Sequence, residues 1–225
     1  RSRVWAAATT SLPSRLYYSS VADINGAITW NTTTQYIDIA PGDGEDISGI
    51  KKFSSAEYIF KPNSIYRVFS INQTEPDPQI FTGTYSQESI IVAKDGMYWH
   101  HPSGLYRLRK GESQPMEISR PIYDIIKNVT RANYTETASW NDDDHVYFYL
   151  GNITVYGITI TNCVARWTIS TEIWTIYSYP IPLIVGNSYD ISTSLSRVVG
   201  DDDGNVYTFD SGFTDNVTAI NYELE

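Results

Sequence analysis

Two acidic runs, Asp142-Asp143-Asp144 and Asp201-Asp202-Asp203-Gly204-Asn205, are the densest groupings of oxygen donors in the sequence. A calcium loop needs oxygen ligands at alternate positions and a glycine at the sixth, and neither run keeps that spacing. Each run immediately precedes a short apolar stretch carrying a tyrosine, where Asp, Asn and Gly serve as turn residues. A structural turn is the preferred reading and a weak cation site the alternative. His100 and His101 are adjacent, so on a strand they point to opposite faces and cannot share one metal. His145 has no Cys or His partner at ligand spacing. No metal ligand is assigned. No nucleophile elbow and no phosphate-cradling glycine loop is present.

Glycoside hydrolysis needs two carboxylates facing each other across a sugar. The candidates are Asp46, Glu88, Glu136 and Asp190, each near the start of an expected inner strand. Acidic residues are expected at such turns without catalysis, so no catalytic residue is assigned and the chain is read as a non-enzyme. Sugar binding by stacking would use Trp30, Trp99, Trp140 or Trp174, although most of these fit strand positions packed in a core. A single cysteine, Cys163, excludes an internal disulfide and sits in an apolar strand as a small buried thiol. Six Asn-X-Ser/Thr sequons (Asn31, Asn72, Asn128, Asn133, Asn152, Asn216) read as chance occurrences in an Asn- and Thr-rich chain. No cofactor is expected.

The elements that position these residues are strands. Eighteen Tyr, seven Phe and six Trp suit half-buried pleated surfaces. One phrase, a short apolar strand bearing an aromatic, recurs at Arg3-Val4-Trp5-Ala6, Glu57-Tyr58-Ile59-Phe60, Gly96-Met97-Tyr98-Trp99, His145-Val146-Tyr147-Phe148 and Asn205-Val206-Tyr207-Thr208-Phe209. From Trp5 through Tyr58, Tyr98 and Tyr147 to Tyr207 the steps are 53, 40, 49 and 60 residues. Such a period, holding four strands each time, is that of a β-propeller blade.

The spacing therefore predicts an all-β propeller of about five blades of four antiparallel strands, in one domain over 1–225. The first blade begins at its second strand and the last stops before its fourth, as in an excerpt of a longer chain. Strands are expected at 3–8, 15–21 and 35–40, then at 47–53, 57–61, 64–70 and 79–82. The third blade takes 89–93, 97–101, 104–109 and 116–119, with Asp95-Gly96 and Ser103-Gly104 as hairpin turns. One short helix is expected near 122–129, opened by Pro121. The fourth blade follows at 137–141, 145–150, 161–170 and 172–178, and the fifth at 193–200, 205–210 and 218–224.

The runs Arg3-Val4-Trp5-Ala6-Ala7, Pro13-Ser14-Arg15-Leu16-Tyr17-Tyr18-Ser19 and Tyr36-Ile37-Asp38-Ile39, with Trp30 between the last two, form one constellation. Gly42-Asp43-Gly44-Glu45-Asp46-Ile47-Ser48-Gly49-Ile50 and Tyr58-Ile59-Phe60-Lys61-Pro62-Asn63-Ser64-Ile65-Tyr66-Arg67 form a second. Asp95-Gly96-Met97-Tyr98 with Gly104-Leu105-Tyr106-Arg107-Leu108, and Phe209-Asp210-Ser211-Gly212 with Thr214-Asp215-Asn216 and Ala219-Ile220, complete the set. Together these runs resemble the β-propeller tail proteins of tailed bacteriophages, the group of tail nozzles, tail tubular proteins and packaged-DNA stabilisation proteins. The resemblance implies a non-enzymatic virion protein of the phage tail. It implies a homo-oligomeric ring around the DNA channel, with other tail proteins as partners.

The net charge of −10 argues against a basic groove gripping phosphates and is compatible with a surface past which DNA slides without specific binding. The same acidity also serves simply to keep a protein dispersed. No segment has the apolar length to cross a bilayer, so no membrane insertion is expected. The alternative function is a carbohydrate-binding propeller recognising host-surface glycans, and the third is a five-bladed glycoside hydrolase.

Overall fold

The computed structural model describes residues 3–72, 78–191, 194–209, 214–215 and 218–219. Every sheet in it is an antiparallel meander of strands consecutive in sequence. The first sheet holds β1 (Trp5–Ala6), β2 (Arg15–Tyr18) and β3 (Tyr36–Asp38). The second holds β4 (Gly49–Phe53), β5 (Ala56–Phe60), β6 (Ile65–Val68) and β7 (Pro78–Ile80). The third holds β8 (Ile91–Val92), β9 (Gly96–His101), β10 (Gly104–Arg109) and β11 (Met116–Glu117). The fourth is β12 (Ala138–Asn141), β13 (His145–Val155), β14 (Ile158–Thr168) and β15 (Ile173–Tyr177). The fifth is β16 (Val185–Ile191), β17 (Ser194–Gly200) and β18 (Val206–Thr208). A two-residue hairpin, β19 (Thr214–Asp215) and β20 (Thr218–Ala219), follows.

Period-two alternation explains how the sheets are held. In β5, Tyr58 and Phe60 join a core with Met97, Trp99 and Leu108 of the third sheet, while Ile59 turns back to Leu16 and Ile37 of the first. In β9, Met97 and Trp99 face the second sheet and Tyr98 faces Val146 and Phe148 of the fourth. In β13, Phe148 and Leu150 face the third sheet, whereas Tyr147 and Tyr149 meet Val199 and Phe209 at the fifth. Each middle strand is thus apolar on both faces because a neighbouring sheet covers each face. Four separate cores fill the four gaps between successive sheets.

The one α-helix among the described residues, α1 (Tyr123–Ile126), follows a 3₁₀ turn opened by Arg120-Pro121; further 3₁₀ turns span Gln87–Ser89 and Arg131–Thr135. The helix is therefore shorter than the expected 122–129. It lies between β11 and β12 and buries Ile126 in the core between the third and fourth sheets.

Three expectations are corrected. First, β13 and β14 run on through 151–160, which the sequence reading leaves unassigned. Tyr156 (φ 50°) and Gly157 (φ 79°) form a hairpin turn with both central residues left-handed. Gly151 (φ 75°) sits in the register shift below it, a bulge that the one-dimensional pattern reads as an end. Second, the fifth sheet starts at Val185, one strand earlier than expected. β16 passes so near β12 that a Cβ on Gly186 would meet the Trp140 indole at 2.4 Å. Third, Gly96 is the first residue of β9, one earlier than expected, and like Gly104 at the expected start of β10 it provides clearance. A Cβ on Gly96 would meet the Leu108 carbonyl oxygen at 2.7 Å, and one on Gly104 would meet Ser119 Oγ at 2.9 Å. The expected strand at 218–224 falls mostly outside the described residues.

A candidate ligand cavity and the joints between sheets

The acidic runs are structural. The Asp142 side chain is nearly fully buried and accepts hydrogen bonds from the Asp144 and His145 amides (both 2.9 Å), from His145 Nδ1 (2.9 Å) and from Tyr147 OH (3.1 Å). Arg197 Nε of β17 lies 2.9 Å from its second oxygen. Burial alone would push this carboxyl up, but these hydrogen bonds and the Arg197 guanidinium hold it below the usual carboxylate range. Asp201 repeats the arrangement, accepting from the Asn205 amide (2.8 Å) and Tyr207 OH (2.8 Å). Asp95 accepts from Tyr98 OH at 2.8 Å. The tyrosine of the repeated phrase is therefore the anchor of the preceding turn in three of the five copies. Among the described residues no group of three or more His, Cys, Asp or Glu is placed to hold a metal ion.

Charged side chains join the sheets, a role the sequence reading did not assign. Lys61, fully buried, directs its Nζ to both Asp43 oxygens (2.8 and 2.9 Å), the Ala40 carbonyl (3.1 Å) and Ser14 Oγ (3.2 Å), tying the second sheet to loops of the first. Arg107, buried on β10, reaches Glu172 in the β14–β15 turn at 3.0 Å. Lys94 meets Asp144 at 2.6 Å, again between the third and fourth sheets. Between the second and third sheets the joint is a hydroxyl network, in which Ser48 Oγ donates to the Thr84 carbonyl and Thr84 Oγ1 lies 2.7 Å from Ser89 Oγ. A basic residue on the core side of an apolar strand, as Arg107 is, was the available signal.

Of the four nominated carboxylates, the structure brings two together. Glu88 and Glu136 line a cavity of about 400 Å³, with Asp202 as a third acidic wall that the sequence reading did not include. Its floor is Ser86, Thr137, Ala138 and Tyr149, all buried, and Pro182 and Ile184 supply an apolar side. The floor is already bonded: Ser86 Oγ donates to the Thr137 carbonyl (2.7 Å) and Tyr149 OH donates to Asn162 Oδ1 (3.3 Å). Burial pushes the Tyr149 hydroxyl up, and the charges of Glu136 and Asp202 push it further. Asp46 is exposed on the link between the first two sheets and takes no part. Asp190 falls in β16, where its side chain is outside the described residues.

The nominated tryptophans divide similarly. Trp99 and Trp140 are core residues, and Trp174 is half-buried with its Nε1 donating to the Ile118 carbonyl at 2.8 Å. Only Trp30 is exposed, at 42%. His100 is fully buried and kept neutral by burial, with its pKa pushed down to about 3. His101 Nδ1 lies 2.6 Å from Ser103 Oγ on the other face of the strand. A second cavity, of about 470 Å³, opens between the first two sheets around Arg3, Lys52, Glu57 and Phe69.

No family model and no curated protein matches the chain. Among solved structures it is similar to BBS1N in a complex with ARL6DN, with 11% identity and a TM-score of 0.51 over 92% of this chain and 60% of that one. It is also similar to an ancestral GH74 enzyme, with 10% identity and a TM-score of 0.51 over 94% of this chain and 33% of that one. The chain thus spans less than two thirds of either. At these identities the likeness is one of fold alone, an all-β, propeller-like stack of antiparallel sheets.

Proposed function

We propose that the chain is a non-enzymatic structural protein of a bacteriophage tail, a propeller of about five blades that assembles into a ring around the DNA channel. The observation that carries this reading is the succession of joints. Among the described residues each of the three middle sheets spends both broad faces on its neighbours, leaving its edges and loops for contact with other subunits. Some of the residues that resemble the phage tail proteins also make these joints: Asp43 with Lys61, and Arg107. The net charge of −10 suits a wall that repels passing DNA, and no specific DNA binding is proposed.

The carbohydrate-binding reading loses most of its stacking platform, since Trp99 and Trp140 lie in the core. The test is twofold. Native mass spectrometry of the purified protein should give a closed oligomer, and antibodies against it should decorate the tails of phage particles that encode it. A protein that stays monomeric and leaves virions unlabelled refutes the reading. Turnover of any chromogenic glycoside that disappears in Glu136→Gln refutes the non-enzymatic part.

A further inference from the structure

The loop between β2 and β3 folds into a small hairpin whose tip carries the one Asn-Gly pair of the sequence, Asn25-Gly26. Its stem is tied by the Asp23 amide donating to the Ala27 carbonyl (2.9 Å) and the Ser20 amide to the Thr29 carbonyl (2.8 Å). Residues 23–27 are all exposed, Ile24 among them at 94%. Gly26 has a φ of 81°, and a Cβ there would meet nothing within 4 Å, so the tip stands in open solvent.

An asparagine carboxamide carbon is electrophilic, and the backbone nitrogen of the following residue is its nearest nucleophile. When that nitrogen has given its proton to solvent it can bond to Cγ, and ammonia leaves. Water then opens the cyclic imide at either carbonyl, which yields aspartate or isoaspartate. A side chain on the following residue crowds the nitrogen, and glycine has none. A carboxamide held by hydrogen bonds is kept away from the backbone nitrogen.

The asparagines of this chain differ in that protection. The carboxamide of Asn128 donates to the Asp124 carbonyl (2.7 Å), that of Asn133 to the Leu150 carbonyl (3.2 Å) and that of Asn205 to Asp201 (2.9 Å). Among the described residues the Asn25 carboxamide has no such partner. The Gly26 nitrogen is held only by the Asp23 carbonyl at 3.2 Å, the long end of the usual range. The firmer restraint is the Asp23 carboxylate, whose Oδ1 accepts from the Asn25 and Ala27 amides, both at 2.8 Å. It keeps the tip closed, and its charge opposes loss of a proton from the neighbouring Gly26 amide.

We infer that Asn25 is a site of spontaneous deamidation in the folded protein, paced by the clasp of Asp23. Each event adds a negative charge to the tip, and the isoaspartate product also adds a methylene to its backbone. The inference does not depend on the tail assignment. It is tested by incubating the purified chain in mildly alkaline buffer, in parallel with the same chain unfolded in guanidinium chloride. Peptide mapping follows aspartate and isoaspartate at every asparagine, and the released ammonia is measured.

Asn25 is expected to convert before any other asparagine of the folded chain. Its rate should lie within about tenfold of the unfolded chain's, because opening an exposed tip disrupts no core. Gly26→Ala should slow the reaction at least about tenfold by moving the nitrogen out of reach, and Asp23→Ala should speed it several-fold. Both changes lie in an exposed turn, so the variants should melt within a few degrees of the parent, which separates altered chemistry from lost folding. An Asn25 that stays intact while the unfolded chain is fully converted overturns the inference. So does another asparagine reacting first, or a Gly26→Ala chain reacting at the parental rate. An Asp23→Ala chain no faster than the parent refutes the pacing by Asp23.

Discussion

Lys61 offers the sharpest test of how the sheets are joined. Its side chain is 0% exposed and its ammonium sits on Asp43, the Ala40 carbonyl and Ser14 Oγ, whereas the Lys94 ammonium makes a similarly short contact with Asp144 at 54% exposure. The two pairs have similar Coulomb distances, 2.8 and 2.6 Å, and differ mainly in their access to water. Removing one member of a buried pair costs about 3–5 kcal/mol because the other is left without compensation. The Asp43 side chain is 30% exposed and can regain part of its hydration, so Lys61→Met should cost about 2–3 kcal/mol. In a chain of this size that lowers Tm by about 5–10 °C. Lys94→Met should cost less than about 1 kcal/mol.

The pH dependence supplies a second reading of the same bond. Burial pushes the Asp43 carboxyl up, but Lys61 and the Glu45 amide more than offset this and hold it below the usual carboxylate range. Its contribution is therefore present above the unfolded-state value near 4 and is lost as pH falls through the lower folded-state value. The gap between wild type and Lys61→Met should narrow below about pH 4. Chemical denaturation of both variants across pH 3–8, with Asp43→Asn closing a double-mutant cycle, measures all of this. A Lys61→Met protein as stable as Lys94→Met, or more stable than wild type, would show that desolvation of the ammonium outweighs its bonds and would refute the reasoning.

Gly83→Ala should be among the most damaging single-methyl additions, since the new Cβ would lie 1.7 Å from the backbone oxygen of Lys61, which cannot swing away; a loss of more than about 3 kcal/mol in urea titration is expected. Gly157→Ala, at positive φ in open space, should cost only about 1 kcal/mol. His100, held neutral with a pKa of about 3, takes up its proton only on unfolding, so stability should fall by up to about 1.4 kcal/mol per pH unit between pH 6 and 4. That slope should shrink in His100→Asn, as read from denaturation midpoints. Burial pushes the Cys163 thiol up to about 12, so a disulfide reagent at neutral pH should label it only as fast as the fourth sheet opens, with native-state labelling within minutes contradicting its burial.

The strand order of the first four sheets was legible because a two-sided core leaves an unusual imprint. Gly96-Met97-Tyr98-Trp99 and His145-Val146-Tyr147-Phe148 are apolar at consecutive positions, and short turns punctuate them. What was missed depends on distance in space. β16 carries Asn187, Ser188 and Asp190, so it has no apolar alternation, and its place is fixed by Gly186 fitting under Trp140, 46 residues earlier. The β13–β14 extension was hidden by Gly151 and Asn152, which read as an end and prove to be a bulge. Glu88 and Glu136 could be nominated because both precede inner strands. Asp202 could not, since only the added strand β16 brings its loop to the same end. Arg107 announced itself as a charge in an apolar strand, but its partner Glu172 is 65 residues away.

The four gap-filling cores have a thermodynamic corollary. Each is built from two successive sheets only, so among the described residues the first and fourth cores share no side chain. Free energy in such an array approximates a sum over nearest neighbours, with each interface contributing independently of remote ones. Damage at Phe60 should then leave amide protection around Phe209 nearly untouched. Sheets at either extremity, covered on one side, should fray before those in the middle.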